Sequence, residues 1–538
     1  MSSITLRMAL GTLAKSSSFS VATKNKRTDD PLYQFKTYLY VEPEIELDFI
    51  KCLDAIQPGE IVFLCGSSGD GKSEILTRHL SKYEDKCRFH LDATHSFSPR
   101  ETAIDALNKL FDDQNRDQTP LVIGINIGML ANFAKEGDDR HSELRDALER
   151  FLLTGNRTDG RFHFLDFEAY PKFRFDGGLS KAPFIKMVLN RISRLDEQNP
   201  FYNLLLDVEK TNNDPLLASN FRLLARESVQ QSIITNLFKV RLRKNQFITT
   251  RALLDFIHDL LLSDGYLFDT LFTSNRSELS RKLNEFDPAL LHTQMLDQFV
   301  LKYELGLSEP QLNEYLQELK TTLGISLSAS NGQRKAASLL RLFYVLQGES
   351  VANDFHRLFA TDFEEHILTN YAHVWTSHSQ YQGTNGDKST LRNFYVKEFI
   401  PAIVTYANRK APGVSKRELF LGKFGSTLIT APIELKHDLS SVESCSDENV
   451  SHFSAFIKLN GNSLRRIEVN LNLFELVQKL NQGYCPNKYD KNAVLLLDDV
   501  CEQLADFARD NDKLKFYDGT DVYQLLEEDG MISVEGDI

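Results

Sequence analysis

The run Ile61-Val62-Phe63-Leu64-Cys65-Gly66-Ser67-Ser68-Gly69-Asp70-Gly71-Lys72-Ser73 changes character halfway along. Its first five residues are apolar without a break, the pattern of a strand buried on both faces. Its last eight match G-x-x-x-x-G-K-[ST] at every fixed position. Glycines let the backbone wind tightly, so that N–H groups converge on phosphate oxygens, and the amino terminus of a following helix adds a positive dipole. Ser73–Leu80 supplies that helix, with Ile75, Leu76 and Leu80 apolar. In such a loop the lysine, here Lys72, reaches the β- and γ-phosphates, and the Ser73 hydroxyl ligates Mg²⁺. The expected nucleotide-binding residues are Gly66, Ser67, Ser68, Gly69, Asp70, Gly71, Lys72 and Ser73, with Glu74 behind them, and the expected cofactors are ATP and Mg²⁺.

Outward from this stretch, three more short apolar runs follow: Arg88–Leu91, Leu121–Ile127 and Arg161–Phe167. Each leads into a turn and a helical pattern, and strands alternating with helices predict a parallel α/β sheet. The expected fold is an α/β P-loop NTPase core, AAA+-like, over residues 61–180. Residues 1–60 read as a helical and loop segment, with a helix over Pro43–Ile56 closed by the turn Gln57-Pro58-Gly59. Residues Met1 to Thr28 carry five basic residues, no acid and several serines. That is the composition of an organellar transit peptide, while Leu6, Leu10 and Leu13 at helical spacing read as an amphipathic first helix, which is the preferred reading. Residues 181–411 are expected to be largely helical and to include a possible lid, with helices at Ala252–Leu262, Gln311–Leu323 and Lys335–Leu346. Residues 412–538 are expected to form a mixed α+β carboxy-terminal domain with an acidic tail. Its strands are predicted at Ser426–Leu435, His452–Leu459 and Arg465–Asn472, and its helices at Leu473–Leu480 and Val494–Ala508.

Hydrolysis requires an acid that holds Mg²⁺ and a group that orients the attacking water. Asp92, ending the run Arg88-Phe89-His90-Leu91, is the preferred magnesium acid and is grouped with Lys72 and Asn126 as a catalytic residue. Asp166 is the second candidate, with Glu168 as a conceivable base. The run Val494-Leu495-Leu496-Leu497-Asp498-Asp499 has the look of a strand end, yet its continuation has helical spacing and reads as core helix. Asn126 follows a strand expected beside the loop-bearing one, the placement of a polar sensor of the γ-phosphate; otherwise it is a turn former before Gly128. Arg251 sits in the first turn of a Thr-capped helix, where the dipole disfavours a cation. It reads either as a surface ion pair or as a second sensor arginine for the nucleotide.

Charge separates other classes. The 538 residues carry a net charge of −13, which argues against a protein that coats nucleic acid over its whole surface. From Asp498 to Ile538 there are 13 acidic and 3 basic residues, so the acidity is mostly carboxy-terminal. Between Leu391 and Gly425 lie seven basic residues and two acidic ones, interleaved with Phe394, Tyr395, Phe399, Tyr406, Phe420 and Phe424. Cations among aromatics suit a DNA groove, with Arg409, Lys410, Lys416 and Arg417 as its contacts. The plainer reading makes the aromatics core and the charges a solvated face. The basic run Lys239-Val240-Arg241-Leu242-Arg243-Lys244 alternates like an edge strand or linker. No apolar stretch approaches the length of a membrane helix, and six scattered cysteines without a CxxC pair fit a reducing, cytoplasmic setting.

The segments GSSGDGKSEILTRHL, FHLDATHSFSPRETAIDALNKL, PLVIGINIGML and NLNLFELVQKLNQGYCPNKYDKNAVLLLDD together resemble the DptF family, the P-loop ATPases of DNA phosphorothioation-dependent restriction. The resemblance implies an ATP-hydrolysing component of a bacterial anti-phage defence complex that acts on DNA lacking the sulfur modification, with DptG-like and DptH-like partners. Only Gly66, Gly71, Lys72 and Ser73 transfer from it residue by residue. An ATP-binding scaffold that bridges partners without turnover is the alternative.

Overall fold

The computed structural model describes residues 4–14, 30–91, 102–307, 309–327, 332–351, 353–445, 449–509, 513–519, 521–528 and 531–536. The four apolar runs form strands β1 (Ile61–Gly66), β2 (Arg88–His90), β3 (Leu121–Asn126) and β5 (Phe162–Asp166), and a short β4 (Thr158–Asp159) precedes the last. The sheet order is β2-β3-β1-β5-β4, parallel throughout except for the β4–β5 pair.

Side-chain alternation divides β1 between two cores. Ile61, Phe63 and Cys65 face one side, where Phe111, Leu130, Phe133, Leu148 and Phe151 pack on them from the helices Ala103–Asp117, Ile127–Glu136 and Ser142–Thr154. Val62 and Leu64 face the other, against Ile45, Phe49 and Leu53 of the helix Glu44–Ala55 and Ile75 and Leu76 of the helix Lys72–Tyr83. A strand covered on both faces has no polar side, which is why it reads as an unbroken apolar run.

The chain divides into two compact units. One comprises residues 1–172, 182–237 and 247–364; the other comprises Phe173–Lys181, Phe238–Gln246 and Glu365–Ile538. The first holds the parallel sheet and most of the expected helical region, whose helices include Thr250–Leu262, Pro310–Leu323 and Gly332–Leu346. In it the short helix Leu6–Leu10 buries Leu6 and Leu10 and packs on Pro200–Thr211, and Arg7 pairs with Asp214 at 2.8 Å. The leucines of this helix, at the expected spacing, therefore face the interior.

The second unit joins helices to a five-stranded antiparallel sheet. The sheet order is Met531–Gly536, Asp521–Glu528, Lys513–Asp518, Thr427–Pro432, Glu418–Phe424. The helix Lys491–Arg509 buries Leu497, Val500 and Leu504, so the Val494–Asp499 run is core helix as expected. The acidic carboxy-terminal segment supplies three of the five strands of the antiparallel sheet. One expectation is corrected: the run Lys239–Lys244 is the last part of the helix Glu227–Lys244, neither edge strand nor linker. Ile233, Ile234, Leu237 and Val240 are buried at helical spacing, and that longer period outweighs the local alternation.

Candidate functional site

The Gly66–Ser73 loop joins the carboxy end of β1 to the helix Lys72–Tyr83. Two left-handed residues, Gly69 at φ +87° and Gly71 at φ +110°, make the turn that an L side chain resists. The strand–loop–helix context that the motif requires is therefore present, with Lys72 at the start of the helix and Ser73 in its first turn.

Lys72 is buried and folded back across the loop. Its ammonium donates to the carbonyl oxygens of Gly66 at 3.0 Å and Ser67 at 2.8 Å, and to Oδ1 of Asn126 at 2.8 Å. Register places Asn126 there, since β3 lies beside β1 with Asn126 opposite Gly66. Asn126 also occupies the N-cap position of the helix Ile127–Glu136, yet its side chain makes no capping hydrogen bond. An N-cap asparagine ordinarily caps. This one serves the lysine instead.

On the other flank β5 pairs with β1 so that Asp166 lies opposite Cys65. Burial pushes the Asp166 carboxyl up to about 6, with Glu168 and Asp70 adding repulsion; the Glu168 N–H, donating at 3.1 Å, and Lys72 act against this. Asp166 thus stands at the loop with a carboxylate that is mostly ionised at neutral pH. Glu168 is exposed. Asp92 falls outside the described residues, as do its immediate neighbours on the carboxy side.

Two further sets of contacts support the loop. Asp70 turns inward with its side chain fully buried; its Oδ2 accepts the Ser67 N–H at 2.8 Å, and its Oδ1 pairs with Lys172 at 3.0 Å. The amino terminus of the helix Thr250–Leu262 also rests on the loop, where the Arg251 N–H donates to the Gly69 carbonyl at 3.1 Å and the Thr250 hydroxyl to the Asp70 carbonyl at 3.3 Å. Arg251, far downstream in the sequence, is therefore a neighbour of the loop. Burial lowers the guanidinium pKa, while the charges of Asp255 and Glu74 raise it. Glu74 itself pairs with Lys36 and Arg78, each at 3.0 Å, and so holds the helix rather than the loop.

The donors and acceptors fit a polyphosphate with a hard cation: a loop of left-handed glycines at a helix amino terminus, a lysine within the loop, and a carboxylate beside it.

The aromatics of the basic segment divide. Phe394, Tyr395, Phe399 and Tyr406 are buried, whereas Phe424 is 83% exposed. Arg409 lies over the Tyr406 ring at 3.9 Å and pairs with Asp498 at 3.2 Å. Lys410, Lys416 and Arg417 are exposed. The plainer reading therefore holds for four of the six rings, and all seven basic residues of the segment are exposed.

No helix among the described residues is long and apolar enough to cross a membrane. No protein-family model matches the chain, and no curated protein or solved structure matches it either.

Proposed function

We propose that this chain binds ATP and Mg²⁺ in the Gly66–Ser73 loop and hydrolyses the nucleotide, as the ATPase component of a DNA phosphorothioation-dependent restriction complex with DptG-like and DptH-like partners. One observation carries the nucleotide reading: Lys72, in a glycine loop between a buried parallel strand and a helix, meets Asn126 on the adjacent strand. Lys72 and the loop N–H groups would hold the phosphates, Ser73 and a carboxylate, Asp92 or Asp166, would hold the cation, and Asn126 would orient the attacking water. Bound Mg²⁺ would supply charge neutralisation between the terminal phosphates. The likeness to the DptF family supports the restriction role.

Turnover of ATP by the wild type and by Lys72→Ala, each with and without DNA, tests this reading. Lys72→Ala is expected to lower the rate by about a hundredfold or more, since it removes a preorganised cation from the transferring phosphoryl group. Equal, negligible rates in both proteins would overturn hydrolysis. The rival reading, a nucleotide-binding scaffold, draws on Asp166, whose carboxylate burial disfavours and whose Oδ1 already accepts a backbone N–H. Tight ATP binding without turnover, even with DNA and both partners present, would favour the scaffold.

A further inference from the structure

The two edges of the antiparallel sheet are treated differently. Along Glu418–Phe424, the buried Asn408 accepts from the Phe420 N–H at 2.8 Å and donates to the Glu418 carbonyl at 2.8 Å, and the pairing register shifts between Phe420 and Gly422. A side chain that occupies the backbone and an irregular register are two ways of closing a sheet edge. The opposite edge, Met531–Gly536, pairs with Asp521–Glu528, and among the described residues no other strand pairs with it. Met531 is 76%, Ile532 66% and Val534 65% exposed. Val534, Leu525 and Leu514 are in register across three strands, so an apolar row ends at this edge.

Charge selects the occupant. Residues 521–536 carry five acidic residues and no basic one. Pairing of two copies along this edge would set two strand pairs of the same negative charge beside each other, which repulsion disfavours. Head-to-tail pairing meets the edge closed by Asn408.

We propose that Met531–Gly536 is a docking edge that adds an extended, Lys- or Arg-bearing segment of a different protein as a sixth strand. Backbone hydrogen bonds along the edge supply affinity; apolar side chains on the face of Ile532 and Val534, with cations on the opposite face toward Glu535, supply selectivity. The site uses none of the residues of the nucleotide loop, so it stands or falls independently of the ATPase reading.

Anisotropy of labelled peptides on the full chain tests it. An alternating Lys-Val octapeptide is expected to bind about tenfold or more tighter than its Glu-Val counterpart. A proline placed mid-peptide should cost about tenfold again, because it removes a ladder donor. Glu535→Lys should narrow the preference between the two peptides. Failure of the Lys-Val peptide to bind, equal binding of the two charge types, or indifference to the proline would overturn the proposal, the last by reducing it to diffuse charge attraction. A concentration-dependent dimer in sedimentation that Val534→Lys abolishes would overturn it in favour of a second copy.

Discussion

The Lys72 ammonium is held by three oxygens, two of them from the loop it is expected to serve. Such a lysine is already desolvated and placed, so the loop needs little reorganisation before a phosphate enters. The glycines of the loop are separable by substitution. A Cβ on Gly71 meets nothing within 4 Å, so Gly71→Ala should cost only backbone strain, about 1–3 kcal/mol. A Cβ on Gly69 would also lie 2.9 Å from the Cβ of Arg251, so Gly69→Ala should be the larger loss; urea unfolding midpoints of the two variants check the order. Asp166 makes a pH prediction. Its folded-state pKa of about 6 lies above the ordinary 3.8, so the folded protein holds that proton more tightly, and stability from this group falls as pH rises from about 4 through 6. Asp166→Asn should therefore stabilise the protein at pH 7.5, on the order of 1–3 kcal/mol after allowance for partial exposure, with no gain near pH 4. Denaturant titrations at the two pH values measure this. The pair Asp70–Lys172 illustrates what residues cannot announce: its members are 102 positions apart, and neither belongs to a spacing that chemistry requires.

Elements were legible where burial writes a period into the chain. β1, β3 and β5 are covered on both faces and appear as apolar runs; the helix Pro310–Leu323 buries Leu312, Tyr315, Leu319 and Leu323 and appears as a 3.6-residue stripe. The strands Lys513–Asp518, Asp521–Glu528 and Met531–Gly536 were not legible, and the reason is physical. They are held by backbone pairing while both faces stay at least partly exposed, so no alternation marks them and their acids suggest a tail. The sheet they extend is anchored at its far edge. Asn408→Ala would strand the Glu418 carbonyl and the Phe420 N–H, and an unsatisfied buried group costs about 1–3 kcal/mol. The expected outcome is a lower thermal midpoint with ATP binding unchanged, read by calorimetry and nucleotide titration on the same preparation.

For the whole molecule, the net charge of −13 conceals a local division. Asp498 to Ile538 carry −10, and the segment Leu391–Gly425 carries +5. Arg409 already answers Asp498, so a Glu at position 409 would disturb a packed helix as well as any groove. The cleaner test of DNA contact is Lys410→Glu with Lys416→Glu and Arg417→Glu. If these cations track phosphates, DNA affinity should fall and its salt dependence should flatten by about one phosphate per cation removed, with ATP binding intact. Unchanged affinity would remove this segment from the DNA reading.

The division into two units has a consequence for synthesis. The second unit takes Phe173, Phe175 and Phe238 from segments that interrupt the first in sequence; Phe238 stacks on Phe173 and packs on Phe175, which meets Tyr371 and Trp375. A ribosome releases those three rings more than a hundred residues before the chain that covers them is complete. The first unit can close around residue 364 while the three rings of two short, largely polar segments wait unburied. The vulnerable moment in the life of this protein therefore comes in mid-translation, and it falls on residues that take no part in the nucleotide site.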